Sequence, residues 1–479
     1  MGSGVTQCIM SIKIVQKRRK VMGLYKTSKF NHLVENSKGD IIVYNYLYKQ
    51  LCKFDPTQYG RVKEYLQTGL LEEENDLTFI ELAKRKLIIP ADIDEEIESK
   101  VDFMKEITRP VLGLTIYPTM ACNFRCPYCY QNHENLKMSD EMKDNIIKYV
   151  RKNISKHSGM VVAWFGGEPL EEVSTVIELS KKMLSICHNR NRTYYSSITT
   201  NGYNLNVEIF KTLVQECNIR RFAITIDGLA HIHDKQRITK DGKGSFYKII
   251  QNLLEIKTIS KHINFEVLIR SNVSVEGYED LENYVKYMHD KFGDDDRFCF
   301  YFRPVYNWGG STIDGFKNSL LQGYNEQRKI YKKLLDINVP LNLRQHYLDL
   351  MESSICYANR INSFAIEVDG KVAKCTGESR SGKNYVGKLD NNGEMNINNN
   401  TNSLWASQYA TVDTSCKKCF FEASCHSNFC LVEKLYDNSQ KCHCPSGKDF
   451  IDEFMLLLDK SNDKYPYIEL VGVEENERG

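Results

Sequence analysis

Sixteen cysteines are the most unusual feature of this 479-residue sequence, because eleven of them fall into two groups. The first group, Cys122, Cys126 and Cys129, has three and then two residues between its members. The second group extends from Cys356 to Cys444. In a reducing compartment such groups of thiols indicate metal sites rather than disulfides. We expect the other five, which stand singly, to be buried apolar thiols. These five are Cys8, Cys52, Cys187, Cys217 and Cys299.

The first group can hold either of two kinds of metal centre. Zinc in structural sites takes four closed ligands, and the nearest candidate for a fourth ligand is His133. Three thiolates on a four-iron cube leave one iron open to a further ligand. The spacing favours an iron–sulfur cluster over zinc, but it leaves both interpretations open.

The second group contains enough thiols for two metal centres. Its members are Cys356, Cys375, Cys416, Cys419, Cys425, Cys430, Cys442 and Cys444. Two four-thiolate zinc sites and two iron–sulfur clusters both satisfy this count. The surrounding region, about 350–450, is rich in turns and weakly periodic. We therefore expect metal binding to contribute much of its folding free energy.

The elements that position the first group alternate regularly from about residue 112. Amphipathic helical segments separate six strand-like runs, and this alternation predicts an α/β fold with a parallel sheet and outer helices. The runs are Leu112–Tyr117, Met160–Phe165, Tyr194–Thr200, Arg220–Ile226, Ile263–Ile269 and Phe298–Arg303. Loops that follow the strands gather at one rim of such a sheet. The loops at 118–130, 166–169, 200–203 and 227–237 are therefore expected to form one site.

The N-terminal region predicts one further module. Two strand-like runs, Phe30–Val34 and Ile41–Tyr44, with helical segments after them, predict a winged-helix-like module.

The 64 basic and 62 acidic residues give a net charge of +2, which disfavours nucleic acid as a partner. The short basic run at 17–20 is typical of a solvated surface. No apolar run approaches the roughly 18 residues that span a bilayer, and the first residues lack the apolar core of a signal peptide. We therefore expect a cytoplasmic protein with no membrane partner.

Several motifs resemble those of one enzyme family. The C-x3-C-x2-C loop directly after the first predicted strand resembles the signature of the radical S-adenosylmethionine (SAM) enzymes. Phe165-Gly-Gly-Glu-Pro169 resembles that family's glycine-glycine-glutamate-proline motif. Thr199-Thr-Asn-Gly202 and Thr225-Ile-Asp-Gly228 resemble its loops that face SAM. His233-Asp234-x2-Arg237, followed by Gly244-Ser-Phe246, matches a run found in one subgroup. The resemblance implies a partial (β/α)6 barrel.

The resemblance also implies roles for individual residues. The three cysteines of the first group would bind a [4Fe–4S] cluster whose open iron chelates SAM. Electron transfer to SAM would then release a 5′-deoxyadenosyl radical, which abstracts hydrogen from a substrate. The implied SAM contacts are Tyr128, Gly166, Gly167, Glu168, Asn201, Thr225 and Arg237. Asp227 and Arg270 are secondary candidates.

The second cysteine group resembles the SPASM extension of many radical SAM enzymes, which holds two auxiliary [4Fe–4S] clusters. The resemblance implies an outer cluster on Cys416, Cys419, Cys425 and Cys444, and an inner cluster on Cys356, Cys375 and Cys430. No cysteine lies between Cys356 and Cys375, so an open iron is implied for the inner cluster. Four residues rather than the usual three separate Cys425 from Cys430, and Cys442 is an alternative ligand.

These features predict four parts of the chain and one function. Residues 1–105 are expected to be a winged-helix-like module that recognises a leader peptide, and 106–345 the radical SAM partial barrel. Residues 346–450 are expected to be the SPASM domain, and 451–479 a C-terminal helix and tail. The resemblance implies a maturase of a ribosomally made precursor peptide, with a thioether from a cysteine sulfur to carbon as product and an external electron donor of flavodoxin or ferredoxin type. The alternatives are a sulfatase-type maturase that forms formylglycine, a carbon–carbon cross-linking maturase, and a zinc-bound scaffold protein.

Overall fold

The computed structural model describes residues 23–307, 313–321, 325–352, 355–378, 383–406, 416–426, 430–432, 444, 446–461 and 469–470. Cys8, the basic run at 17–20 and Cys442 lie outside the described residues.

The N-terminal part of the described chain forms a small module of strands and helices. Its elements are β1 (Leu24–Thr27), β2 (Asn31–Glu35), β3 (Ile41–Asn45), β4 (Gln50–Phe54), α1 (Tyr59–Gln67), β5 (Leu70–Glu72), α2 (Leu77–Lys84), β6 (Ile88–Pro90) and α3 (Glu95–Ile107). Strands β2, β3 and β4 form an antiparallel meander, and β1 pairs with β5 and β6 in a second sheet. β2 and β3 coincide, within one residue, with the two strands expected of the wing. A separate apolar core that includes Val43, Phe54 and Phe79 joins the meander to α1 and α2.

The central part is a partial barrel of six parallel strands. Its strands are β7 (Val111–Ile116), β8 (Gly159–Trp164), β9 (Thr193–Thr200), β10 (Ile219–Thr225), β11 (Glu266–Val273) and β12 (Phe298–Pro304). The helices of this part are α4 (Asp140–Asn153), α5 (Val173–Asn189), α6 (Val207–Gln215), α7 (Ala230–Gln236), α8 (Phe246–Lys257), α9 (Val275–Glu279) and α10 (Leu281–Phe292). The strands are hydrogen-bonded in chain order, and β12 does not pair with β7. The predicted α/β fold class, a partial (β/α)6 barrel, is confirmed.

Helix α4 shows why these segments fold as they do. The Ser139 side chain accepts a hydrogen bond from the Met142 amide and so caps the helix, which satisfies one of the free amides of its first turn. The residues that repeat at helical spacing, Met142, Ile146, Ile147 and Val150, are all buried against the sheet. The helix therefore buries the apolar face that its periodicity predicts.

The C-terminal part extends the barrel sheet instead of forming a separate one. Its elements are α11 (Glu326–Asp336), α12 (Arg344–Tyr347), β13 (Ser363–Ile366), β14 (Lys371–Ala373), β15 (Tyr385–Leu389), β16 (Met395–Ile397), α13 (Asn399–Ala406), α14 (Glu422–Cys425), α15 (Ile451–Lys460) and β17 (Glu469–Leu470). β13 pairs in parallel with β7, and β14, β15 and β16 continue the sheet antiparallel. This pairing places the strands next to the second cysteine group along the edge of the barrel that β7 forms.

The N-terminal module packs directly on the C-terminal part. The Tyr44 hydroxyl donates to the Met351 carbonyl at 2.5 Å, and the Tyr46 ring lies 4.9 Å from that of Phe421. In the described parts of the chain, we find no helix that is both long and apolar enough to cross a membrane.

Candidate functional site

A cavity of about 210 Å³ lies at the carboxyl ends of the barrel strands. Both the first cysteine group and all the SAM contacts expected from the sequence line it. These residues are Cys122, Cys126, Cys129, Tyr128, Gly166, Gly167, Glu168, Asn201, Thr225 and Arg237. The loops that the sequence placed on one rim therefore meet in one site, as expected for a parallel sheet of this kind.

The cysteine loop is held in shape by its own backbone. The Cys129 amide donates to the Cys126 carbonyl at 3.1 Å, and the Phe124 amide donates to the Cys122 sulfur at 3.4 Å. Burial raises the pKa of the Cys122 thiol to about 12 and that of Cys126 to about 11. A buried thiolate is thus unfavourable without a positive charge beside it, and a metal centre provides that charge.

The donor set of the first cysteine group fits an iron–sulfur cluster, since three thiolates can hold a four-iron cube with one iron left open. Within the described ranges, no group of three or more His, Cys, Asp or Glu side chains is arranged to hold a single metal ion. His133, the candidate for a fourth zinc ligand, lines the same cavity. The cysteine ligands of a four-iron cube lie farther apart than those of one ion, and only sulfur donors are required.

Two glycines let the end of β8 pass close to the cysteine loop. Gly166 has a φ of +124°, and a Cβ atom on Gly167 would lie 2.1 Å from the Ala121 carbonyl oxygen. The Gly167 amide donates to the Thr119 carbonyl at 3.1 Å, and the Glu168 amide to the Ala121 carbonyl at 2.8 Å. Backbone approach of this kind requires glycine. The family resemblance implied that these glycines contact SAM, and the structure shows that they also make room for the cysteine loop.

Glu168 is a buried carboxylate with one acceptor position still available. Its side chain, 1% exposed, accepts hydrogen bonds from the Thr200 hydroxyl at 2.6 Å, the Asn201 amide at 2.6 Å and the Leu170 amide at 3.0 Å. Burial raises the pKa of Glu168 to about 7. Since an ionised carboxylate can accept about four hydrogen bonds, Glu168 can bind one further donor, such as an amino group in the cavity.

Tyr128, Asp227 and Arg237 form a connected polar network. The Tyr128 hydroxyl donates to Asp227 and accepts from Arg237 Nη1 at 2.9 Å. The Asn272 amide donates to the other Asp227 oxygen at 2.9 Å. The Arg237 Nε atom is buried without a hydrogen-bond partner among the residues that the structure describes. A buried, unsatisfied donor in a cavity wall indicates an absent anionic or polar ligand.

Hydrogen bonds within the run from His233 to Phe246 hold the backbone around Arg237 in place. The His233 ring accepts from the Asp227 amide at 3.3 Å and lies 3.0 Å from the Ser245 hydroxyl on its other side. That hydroxyl also lies 2.9 Å from the Arg237 carbonyl, to which it donates. A Cβ atom on Gly244 would lie 2.4 Å from the Asp234 carboxylate. The motif therefore positions Arg237 through hydrogen bonds that its residues make to one another.

Asn201, a predicted SAM contact, forms a hydrogen bond within the protein, and several residues that line the cavity were not predicted. The Asn201 side chain donates to Asn123 at 2.6 Å, which ties the third loop to the cysteine loop. Among the unpredicted lining residues are Tyr130, Asn272 and Tyr306. Asn272 lies near the carboxyl end of β11, and Tyr306 follows β12. The rule that sites form at the carboxyl ends of strands could therefore have found both residues.

The second cysteine group lies in two neighbourhoods. Burial raises the pKa of the Cys356 thiol to about 12, and the nearby Cys375 and Cys430 thiols add to that rise. Burial also raises the pKa of Cys444, whose neighbours include Cys419 and Cys416. Cys425 is buried on α14. This division coincides with the inner and outer sets implied by the family resemblance, and the ligand assignments remain predictions.

Tyr130 connects the first site to the inner set. Its hydroxyl donates to the Thr376 carbonyl at 3.1 Å, next to Cys375. Burial raises the pKa of Tyr130, and the flanking thiols of Cys129 and Cys375 add to the effect. One wall of the cavity thus faces the second cysteine group.

A partial parallel barrel with a three-cysteine loop beside a cavity is the arrangement that the family resemblance of the sequence implied. Residues 116–287 match the Radical SAM superfamily. The chain therefore carries a radical SAM domain, and this domain implies SAM and a [4Fe–4S] cluster as cofactors.

Two curated relatives and one solved structure are similar to the chain. It is 30% identical over 174 residues to the cysteine-type anaerobic sulfatase-maturating enzyme of Clostridium novyi (strain NT), covering 34% of this chain and 45% of that protein. It is 34% identical over 154 residues to the serine-type enzyme of Bacteroides thetaiotaomicron, covering 29% and 34%. The chain thus spans less than half the length of these two relatives. The structure of anSMEcpe with bound AdoMet and Cp18Cys peptide aligns with a TM-score of 0.53 at 21% identity, over 74% of this chain and 98% of that one, which establishes the shared fold.

Proposed function

We propose that this chain is a radical SAM/SPASM maturase that oxidatively modifies a ribosomally made precursor peptide. The observation that carries the proposal is the single cavity that the first cysteine group lines and whose wall at Tyr130 reaches the second group. A substrate held there would lie between the two groups of thiols. The product we favour is a thioether between a cysteine sulfur and a carbon of another residue.

The residues of the cavity have distinct tasks in this proposal. Cys122, Cys126 and Cys129 would hold the [4Fe–4S] cluster. When bound, this cluster and SAM would together supply the 5′-deoxyadenosyl radical chemistry that removes hydrogen from a substrate. Glu168 would accept a hydrogen bond from the SAM amino group through its remaining acceptor position. Arg237, with an unsatisfied Nε, would donate to the SAM carboxylate, and the Tyr128 ring would border the adenine.

The second cysteine group supports an oxidative outcome. A product that has lost two hydrogens must release one electron after the first hydrogen is removed, and iron–sulfur clusters span potentials that can accept it. We assign Cys356, Cys375 and Cys430 to an inner auxiliary cluster, and Cys416, Cys419, Cys425 and Cys444 to an outer one. An external donor of flavodoxin or ferredoxin type would reduce the first cluster.

A sulfatase-type maturase is the second candidate. It is favoured by the two curated relatives, whose names describe sulfatase maturation. The two candidates differ in the fate of sulfur. A thioether keeps the cysteine sulfur in the peptide, whereas conversion of cysteine to formylglycine removes it.

Mass spectrometry of the product separates the candidates. The anaerobically reconstituted full chain is incubated with SAM, dithionite and each short cysteine-containing peptide found by inspecting the neighbouring open reading frames. We expect one peptide to lose two hydrogens, to retain its sulfur and to resist alkylation at the reacting cysteine. Loss of sulfur would replace the thioether proposal with the second candidate, and no modified peptide would contradict both.

A further inference from the structure

Two arginines lie next to each other on the interior face of the barrel. Arg270 on β11 pairs in register with Tyr301 on β12, and Asn272 pairs with Arg303. Because side chains two apart on a strand share a face, Arg270, Tyr301 and Arg303 all project from the same side of the sheet. The two guanidinium groups are therefore diagonal neighbours on adjacent strands.

Neither arginine has a carboxylate partner in the described chain. Among the described residues, neither guanidinium forms an ion pair within 4.0 Å with an Asp or Glu oxygen, and both arginines are partly buried. Arg270 donates to the Asn272 side chain at 3.2 Å. The nearest candidate acid, Asp349, instead accepts the Tyr301 hydroxyl at 2.6 Å. Buried charges in proteins are normally paired. The charge of Asp349 favours the charged form of Arg303 without a direct ion pair, so the two cations share one nearby acid and lack a second counter-charge.

Aromatic rings hold Arg303 without neutralising it. Its guanidinium carbon lies 5.5 Å from the Tyr301 ring centroid and 5.9 Å from that of Tyr306. Contacts of this kind orient a guanidinium plane and leave its N–H groups available for an anion. The arrangement is thus preorganised for a ligand rather than for a structural ion pair.

One arginine of the pair lines the cavity, and the other lies against its wall. Arg270 and Tyr306 line the same cavity as the cysteine loop, and the Arg303 guanidinium lies 5.9 Å from the Tyr306 ring centroid. Tyr130 lines it too and donates to the Thr376 carbonyl beside Cys375. An anion on the arginine pair would therefore sit near the space between the two cysteine groups.

Building on the proposed function, we propose that Arg270 and Arg303 bind the carboxylate of an Asp or Glu side chain in the peptide substrate, close to the residue that reacts. The planar guanidinium matches a carboxylate with two parallel hydrogen bonds. The bound acid fixes the register of the peptide and makes these two arginines specificity-determining residues. The SAM carboxylate has the same chemistry, and the test distinguishes the two sources.

The test measures peptide capture and SAM binding separately. The anaerobically reconstituted full chain, with SAM but without reductant, is equilibrated with a library of capped synthetic peptides that carry one central cysteine and either Glu or Gln at each flanking position. Captured peptides are counted by mass spectrometry, and SAM affinity is measured by equilibrium dialysis. The variants are Arg270→Gln, Arg303→Gln and Arg303→Lys. Arg221→Gln is the matched control, since Arg221 lies on the same barrel face but is paired with Glu266 at 2.8 Å.

We expect the wild-type chain to enrich Glu-containing peptides over their Gln counterparts by about tenfold, the value of one charge-assisted hydrogen bond. Both Arg→Gln variants should lose this enrichment, Arg303→Lys should retain part of it, and the control should keep it. SAM affinity should stay within about twofold in Arg303→Gln. A wild-type chain without enrichment, or variants that lose SAM affinity but keep the enrichment, would overturn the proposal. Enrichment without any peptide turnover under reducing conditions would support the arginine subsite and contradict the proposed maturase activity instead.

Discussion

At the scale of single residues, Glu168 shows how burial changes the ionisation of a group in the site. Three donors surround its carboxylate, yet burial dominates and raises its pKa to about 7. The sequence placed Glu168 in the site by its motif. It could not indicate this pKa, because the pKa depends on how completely the neighbouring loops exclude water.

The raised pKa predicts a pH-dependent stability. The folded metal-free chain keeps a proton on Glu168 up to about pH 7, whereas the unfolded chain releases it near 4.5. Between these values the folded state binds more protons, so the free energy of unfolding should fall as pH rises, by up to about 3 kcal/mol. Urea unfolding at a series of pH values measures this slope. Glu168→Gln should reduce it, and exposed Glu171→Gln should leave it unchanged; an equal slope in all three proteins would disprove the assignment.

At the scale of elements, the strands of the barrel were predictable, and the bounds of one strand were not. Five of the six predicted strands agree with the structure within one residue at each end. The fifth, predicted at Ile263–Ile269, is Glu266–Val273. Ile263 lies in a turn with Ser260, and the strand continues through polar residues that face the barrel interior. The run of apolar residues stops at Ile269, before the strand itself ends. A prediction from apolar periodicity therefore placed both ends of this strand too early.

The contact between β8 and the cysteine loop can be tested by one substitution. Gly167→Ala places a Cβ atom 2.1 Å from the Ala121 carbonyl oxygen, so the cysteine loop must move. We expect a loss of about 1–3 kcal/mol in stability, typical of an overpacked site, and a lower iron content after reconstitution. Iron analysis and chemical denaturation measure both effects. Gly60→Ala, with no atom within 4 Å of the added carbon, should keep the iron content and should not lower stability, since alanine favours a helix over glycine; normal iron content in Gly167→Ala would contradict the role given to this contact.

At the scale of the whole molecule, the N-terminal module is more integrated than its sequence suggested. The pattern predicted a wing of two strands, whereas Gln50–Phe54 adds a third and Glu469–Leu470 pairs in parallel with it. Tyr44 and Tyr46 also pack on the C-terminal part. Contacts between residues about 300 positions apart leave no local pattern, so the sequence could not show them. Removing residues 1–105 would expose this interface, and point substitutions are the better test of leader recognition.

Strand β2 is the edge at which we propose that a leader peptide adds to the sheet. Leu33 on this strand is 37% exposed. Leu33→Asp should weaken binding of the precursor about tenfold through lost apolar contact, without changing SAM cleavage in the absence of peptide. Fluorescence anisotropy with a labelled leader measures this affinity. Leu70→Asp, on the edge strand β5 of the other sheet, serves as the control; if only that variant weakened binding, recognition would belong to the other sheet.

The most direct test of the central claim is reductive SAM cleavage by the anaerobically reconstituted chain, measured as 5′-deoxyadenosine formed on addition of dithionite. The wild-type chain should be brown and should form 5′-deoxyadenosine. Cys126→Ala should form none while keeping iron in the C-terminal region, and Cys187→Ala, which removes a buried thiol outside both groups, should behave as the wild type. A colourless wild-type protein that binds zinc, or continued 5′-deoxyadenosine formation by Cys126→Ala, would contradict the account.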